Sequence, residues 1–172
     1  ASPIGDLIPA LLVLEAKVVL AGANGQRTLA IEDFIKGYRK TCLAKDEYLW
    51  KVSLSVPYSW GSFAFRKLSK RYEDDISSVS IAIFLLHDDV RIKEIRIALG
   101  GVGETALRVY GVEKMMRGGR FIDIDWGAIA DALDATISPI SDVRASADYR
   151  RNMAHVSIKE IVEQFFLRSS GA

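Results

Sequence analysis

Apolar and polar residues follow two different periods along this chain. Most of the first hundred residues carry the two-residue alternation of strands; later residues carry the three-to-four-residue spacing of helices. Asp6 to Glu15 is an early exception. Leu7, Leu11 and Leu14 share a face there, which predicts a short helix with Asp6 at its N-cap and Pro9 tolerated in the first turn. Lys17–Leu20 and Arg27–Ile31 predict strands joined by a hairpin containing Gly22, Asn24 and Gly25. Glu32 to Tyr38 reads as a connecting segment. Tyr48 to Val56 alternates as a strand with one buried face should. Phe63–Ser69, Asp75–Leu86 and Arg91–Leu99 predict an antiparallel sheet of three strands, the last two turning at His87-Asp88-Asp89. Helices are expected over Thr105–Met116, stopped by Gly118-Gly119, and over Asp125–Ile137. A third is expected over Ser146–Arg168, with Tyr149, Met153, Ile158, Ile161, Val162 and Phe165 as its apolar stripe.

The fold class is therefore α+β. Pro57 to Ser62 marks a boundary between a small first piece and a sheet whose one face is covered by helices. The first piece has fewer than about sixty residues and would be marginal alone. With the absence of an initiator methionine, this suggests a cleaved or truncated product with sequence missing upstream.

Composition narrows the classes. Of 172 residues, 49% are hydrophobic and 26% charged, enough apolar content for a core. Lys and Arg number 23 against 22 Asp and Glu, so nothing points to a nucleic-acid partner. The single cysteine, Cys42, excludes an intrachain disulfide framework and a four-cysteine iron–sulfur site, and favours a reducing, cytoplasmic setting. No apolar run approaches the roughly 20 residues of a membrane span, so no membrane partner is expected.

Few motifs carry chemistry unaided. Gly101-Val102-Gly103-Glu104-Thr105-Ala106 fits the spacing of a dinucleotide-binding turn, with Phe121–Asp125 as a candidate second strand. The antiparallel pattern before it, the lack of later strands and the additional Gly100 oppose that reading. Ser2-Pro3-Ile4-Gly5-Asp6 feeds a helix start. It is either a site for phosphates or hydroxyls, or a loop in which Asp6 merely caps its own helix. The mixed charges of Lys67–Asp75 suit a solvated loop. His87 and His155 lie far apart, and neither has a partner at metal-ligand spacing. No residue stands out as catalytic.

An ordered set of segments resembles one family. Ala1-Ser2-Pro3-Ile4-Gly5-Asp6-Leu7 resembles the end of the flavin loop of molybdenum hydroxylases. Gly37-Tyr38-Arg39-Lys40-Thr41 resembles their G-Y-R-K-T segment. Lys70-Arg71-Tyr72-Glu73-Asp74-Asp75-Ile76 is like a segment of xanthine dehydrogenases in particular. Leu99-Gly100-Gly101-Val102 and the stretch from Ser138-Pro139-Ile140-Ser141-Asp142 to Tyr149-Arg150-Arg151 match two more signatures.

The resemblance implies a C-terminal portion of the family's FAD-binding subunit. Residues 1–57 would end its FAD-binding domain, and residues 58–172 would form its C-terminal domain, a three-stranded antiparallel sheet packed with a helical bundle. It implies an oxidoreductase subunit whose FAD takes electrons from a [2Fe–2S] centre, fed by a molybdenum cofactor on partner subunits, and reduces NAD or oxygen. The partners would be an iron–sulfur subunit, a molybdenum-cofactor subunit and the upstream half of the FAD domain. Carried over by position, Ser2 and Asp6 would contact FAD and Leu49 would pack near the flavin. Arg66 or Lys67 would place positive charge beside its ring, and the loop from Arg71 to Ile76 would gate NAD. The family's glycine-rich pyrophosphate loop has no counterpart in this sequence. The isolated chain is therefore expected to be inactive and to hold FAD weakly; a docking domain that holds no flavin is the alternative.

Overall fold

The alternating stretches pair into three antiparallel sheets in the computed structural model, which describes residues 2–54, 61–71 and 76–169. The first sheet has the order β2-β1-β5, with β1 at Lys17–Gly22, β2 at Gly25–Ala30 and β5 at Glu47–Ser53. The predicted connecting segment, Glu32 to Tyr38, holds most of the single-turn helix α2 (Ile31–Phe34) and the strand β3 (Ile35–Gly37), which pairs with β4 (Lys40–Thr41) just beyond it. The largest sheet runs β6-β7-β8-β9, with β6 at Ser62–Leu68, β7 at Val79–His87, β8 at Ile92–Gly100 and β9 at Leu107–Arg108.

This last sheet is the frame of the molecule. Along β7 and β8, Val79, Ile81, Ile83, Leu85, Ile95, Ile97 and Leu99 point to one face. There they pack against α3 (Tyr110–Met116), α4 (Trp126–Asp134) and α5 (Ala147–Ser169) through Val112, Met116, Ile129, Leu133, Ile158, Ile161 and Val162. Ala82, Phe84 and Ala98 point to the other face and meet Leu12, Val13, Ala16, Val18, Leu20 and Ile31. Leu12 and Val13 belong to α1 (Leu7–Val13). With both faces covered, β7 has no use for polar alternation, which is why its sequence is almost continuously apolar.

Polar ties join the two layers as well. Arg96 reaches across the Phe84 ring and donates to the carbonyl of Val13 near the end of α1, at 3.1 Å. Arg108 pairs with Glu15 at 3.2 Å and with the buried Glu113, whose carboxylate also accepts the Ile97 N–H at 2.9 Å. Tyr110 donates to Glu32 at 2.5 Å. Burial and then that bond push the Tyr110 phenol up to about 12, so it stays a donor throughout the neutral range.

Several expectations need correction. The sheet has a fourth strand, because the chain reverses after Gly100 and lays β9 along β8. Helix α3 accordingly starts at Tyr110, not at Thr105. The case against a dinucleotide-binding turn, by contrast, holds: every strand pair among the described residues is antiparallel, and Phe121–Asp123 is a single 3-10 turn and not a second strand. Strand β5 is exposed along most of its length, with no buried face, because nothing among the described residues packs over it. On α5 the buried stripe is Arg150, Ala154, Ser157, Ile158, Ile161, Val162 and Phe165, while Tyr149 is exposed. The expected boundary at Pro57 falls largely outside the described residues.

Candidate functional site

The Ser2–Asp6 loop lies against the end of the main sheet and is held at both its ends. The Pro3 carbonyl accepts the Gly101 N–H at 2.8 Å. Ser2 turns the chain locally: its hydroxyl accepts the Ile4 N–H at 3.4 Å and its carbonyl accepts the Gly5 N–H at 3.3 Å. Asp6 does not cap α1. One carboxylate oxygen takes the Lys67 ammonium at 2.9 Å, and the other accepts the hydroxyl of the buried Ser77. The helix start loses a side-chain cap because that side chain is already engaged across the sheet.

Register separates the two basic residues. Lys67 stands opposite Ser80 and Arg66 opposite Ile81, so they project from opposite faces of β6. Ile81 faces the helical layer, and there Arg66 meets Glu160 of α5 in an ion pair. Lys67 emerges on the α1 side, beside the loop. The structure therefore brings Asp6 and Lys67 together and sends Arg66 elsewhere. Leu49 belongs to the separate sheet, opposite Leu20 on β5, with a partly exposed side chain. Of the loop from Arg71 to Ile76, residues 72–75 lie outside the described residues.

The glycine turn after β8 is shaped by close approach. A Cβ on Gly100 would come within 2.4 Å of the Ser80 hydroxyl, a buried group with no hydrogen-bond partner among the described residues. Gly101 has φ +79°, and a Cβ there would sit 2.3 Å from the Ser78 carbonyl oxygen. A neighbouring surface cleft is lined by Ser69, Lys70, Ser78, Asp142, Arg144 and Tyr149, with Lys70 donating to the Val143 carbonyl at 2.8 Å. Ser77 and Arg150, which tie this region together, were not among the expected site residues. Ser77 carries no sequence signal beyond being a serine, whereas Arg150 ends a recognisable signature.

The donor set suits part of a dinucleotide flavin. A half-exposed carboxylate can accept sugar or ribityl hydroxyls, the Ser2 hydroxyl can donate, and the Lys67 ammonium supplies positive charge on the same face. Among the described residues no group of three or more His, Cys, Asp or Glu is placed to hold a metal ion, and no helix is long and apolar enough to cross a membrane.

This architecture belongs to a known class of flavoprotein. Residues 64–165 match the CO dehydrogenase flavoprotein C-terminal domain, and residues 1–58 match the FAD binding domain in molybdopterin dehydrogenase. The chain is a member of this molybdopterin dehydrogenase flavoprotein family. It is 32% identical over 165 residues to the carbon monoxide dehydrogenase medium chain of Hydrogenophaga pseudoflava, covering 95% of this chain and 57% of that one. It is 33% identical over 162 residues to a xanthine dehydrogenase of Blastobotrys adeninivorans, covering 89% of this chain and 12% of the relative. The solved carbon monoxide dehydrogenase from Hydrogenophaga pseudoflava superposes with a TM-score of 0.86 at 30% identity, over 92% of this chain and 55% of that one. The chain thus spans little more than half the length of the medium chains it matches.

Proposed function

We propose that this chain is the C-terminal part of the FAD-binding subunit of a molybdenum hydroxylase, an oxidoreductase of the cytoplasm. In this reading residues 1–57 complete an FAD-binding domain and residues 58–172 form the domain that follows it. The subunit would work beside an iron–sulfur subunit and a molybdenum-cofactor subunit, passing electrons from [2Fe–2S] centres through FAD to NAD or oxygen. The observation that carries this reading is the Ser2–Asp6 loop, pinned to the sheet with its carboxylate beside Lys67.

When bound, FAD supplies the redox chemistry; the chain's own residues bind and orient it. Ser2 and Asp6 would hold hydroxyls of the cofactor. Lys67, on the loop's own face of β6, is the better placed of the two candidate cations, and Arg66 would act only from the opposite face. A positive charge near the flavin ring stabilises negative charge gained on reduction. Leu49 would contribute apolar contact from β5.

Titration of the purified chain with FAD, followed by flavin fluorescence, tests the reading. Weak but saturable binding, weakened about tenfold or more further by Asp6→Ala, is the expected result, the loss of a charged hydrogen-bond acceptor costing about 1.5–3 kcal/mol. Binding by the wild type that Asp6→Ala leaves untouched would remove the loop from the site. Absence of binding would favour the second reading, a docking domain within the complex. That alternative draws on the exposed apolar side chains of β5, namely Tyr48, Leu49, Trp50 and Val52.

A further inference from the structure

Arg150 is buried to 2% exposure in the first turns of α5, and its guanidinium is the largest fully buried side chain of the molecule's described residues. A guanidinium stays charged at any ordinary pH, so burying it demands partners on most of its edge. One terminal nitrogen, Nη1, donates to two backbone carbonyls, those of Ser78 and of Gly101, the latter at 3.2 Å. The other, Nη2, meets the Asp142 carboxylate at 2.8 Å.

Those two carbonyls belong to segments that, together with Lys67, hold the Ser2–Asp6 loop. Gly101 presents its N–H to Pro3 and its carbonyl to Arg150. Ser77 gives its hydroxyl to Asp6, and the next residue, Ser78, gives its carbonyl to Arg150 while its N–H bonds the Leu68 carbonyl at 2.7 Å. The segments 77–78 and 100–101 are therefore locked to each other by one side chain arriving from the helical layer. The guanidinium is in turn aimed from behind. Asp142 is braced by the N–H groups of Arg144 and Ala145, and the Ser146 hydroxyl accepts the Tyr149 N–H at the start of α5. Burial alone would raise the Asp142 carboxyl; these N–H groups and Arg150 hold it below the usual range, so it stays anionic opposite the guanidinium.

We infer that Arg150 is a positioning residue for the Ser2–Asp6 loop: it clamps the backbone of the two segments, 77–78 and 100–101, that carry that loop's anchors, and so couples the Ser138–Arg151 segment to the proposed cofactor site. The inference deepens the proposed function, since the loop's value as a cofactor contact rests on that reading. The clamp itself does not touch the cofactor.

The experiment compares the full chain with Arg150→Lys and Asp142→Asn by residue-resolved amide hydrogen exchange and by FAD titration. A lysine keeps the charge but cannot bridge two carbonyls and a carboxylate from one plane. The expected result is that protection of the Gly101 amide, the donor to Pro3, falls at least tenfold while amides at the centre of β7 keep theirs. FAD affinity should fall with it. If Arg150→Lys loses protection everywhere through general destabilisation, Asp142→Asn decides, because it loosens the guanidinium without removing it. Unchanged Gly101 protection in a folded variant overturns the clamp, whatever the flavin does. Lost Gly101 protection with flavin binding intact leaves the clamp standing and overturns the cofactor reading of the loop.

Discussion

Gly101 shows how much a single position can be asked to do. Its φ of +79° excludes most side chains, and a Cβ would press on both the Ser78 carbonyl and the Arg150 guanidinium. Gly25 also has a positive φ, +105°, but open space where a Cβ would go. Gly101→Ala should therefore cost more than about 2 kcal/mol in urea denaturation, whereas Gly25→Ala should cost only about 1–2 kcal/mol of backbone strain. Equal costs would mean that the close approach at Gly101 relaxes freely. The sequence made this turn visible as a glycine run, and the antiparallel pattern before it argued against the dinucleotide-binding loop that its spacing imitates; the contacts that demand glycine came only with the structure. Likewise Asp6 was legible as important, but its partners were not, because Lys67 and Ser77 lie 61 and 71 residues away and only the sheet register brings them in. Arg66 and Lys67 are neighbours in sequence, and strand parity sends them to opposite faces of β6, with only Lys67 on the side of the loop.

Among elements, the strands were more legible than the surfaces they present. The alternation in Tyr48–Val56 located β5 correctly, yet the periodicity of an edge strand does not say whether anything covers it. The sheet β2-β1-β5 is covered over β1, and its exposed flanking strands are laced across. Arg27 on β2 reaches past β1 to Glu47 on β5, at 2.7 Å to each carboxylate oxygen. That bond, and then the Ala44 N–H, pull the Glu47 carboxyl from 4.5 down to about 2. A carboxyl depressed in the folded state adds stability that is complete above its unfolded value, near 4.5, and is lost as pH falls through about 2. An NMR titration should place the Glu47 midpoint near 2 in the wild type and return it towards 4.5 in Arg27→Met. A midpoint unmoved by the substitution would mean that Arg27 is not its cause. On α5 the 3.6-residue spacing found the helix but missed the polar start of its buried stripe, since Arg150 and Ser157 do not score as apolar. Burial of an arginine is decided by partners, in this case Asp142 and two carbonyls, and those are tertiary facts.

At the scale of the whole molecule, the sequence divides into two pieces more sharply than the structure does. One sheet serves as the wall of two cores, and Ile97 and Ala98, adjacent in sequence, belong to different ones. Unfolding should therefore be a single event. Variants retaining only Trp50 or only Trp126 should give coincident urea midpoints, although one tryptophan lies on β5 and the other on α4. Ile97→Ala should lower both midpoints together, at about 2–5 kcal/mol, while Val52→Ala on the exposed edge should stay within about 1 kcal/mol. Two separated midpoints would show that the layers are independent units after all.

The placement of α1 against β7 and β8 also sets an order of assembly. During synthesis Leu12, Val13, Val18 and Leu20 leave the ribosome well before Ala82, Phe84 and Ala98, the residues that will shelter them, have been made. For that interval an apolar surface waits for its template, and the loop at residues 2–6, tied to Gly101 and Ser77, cannot yet take its shape. A segment made before its template is thus finished only after it, which makes the nascent chain a natural client for a chaperone until the second core closes.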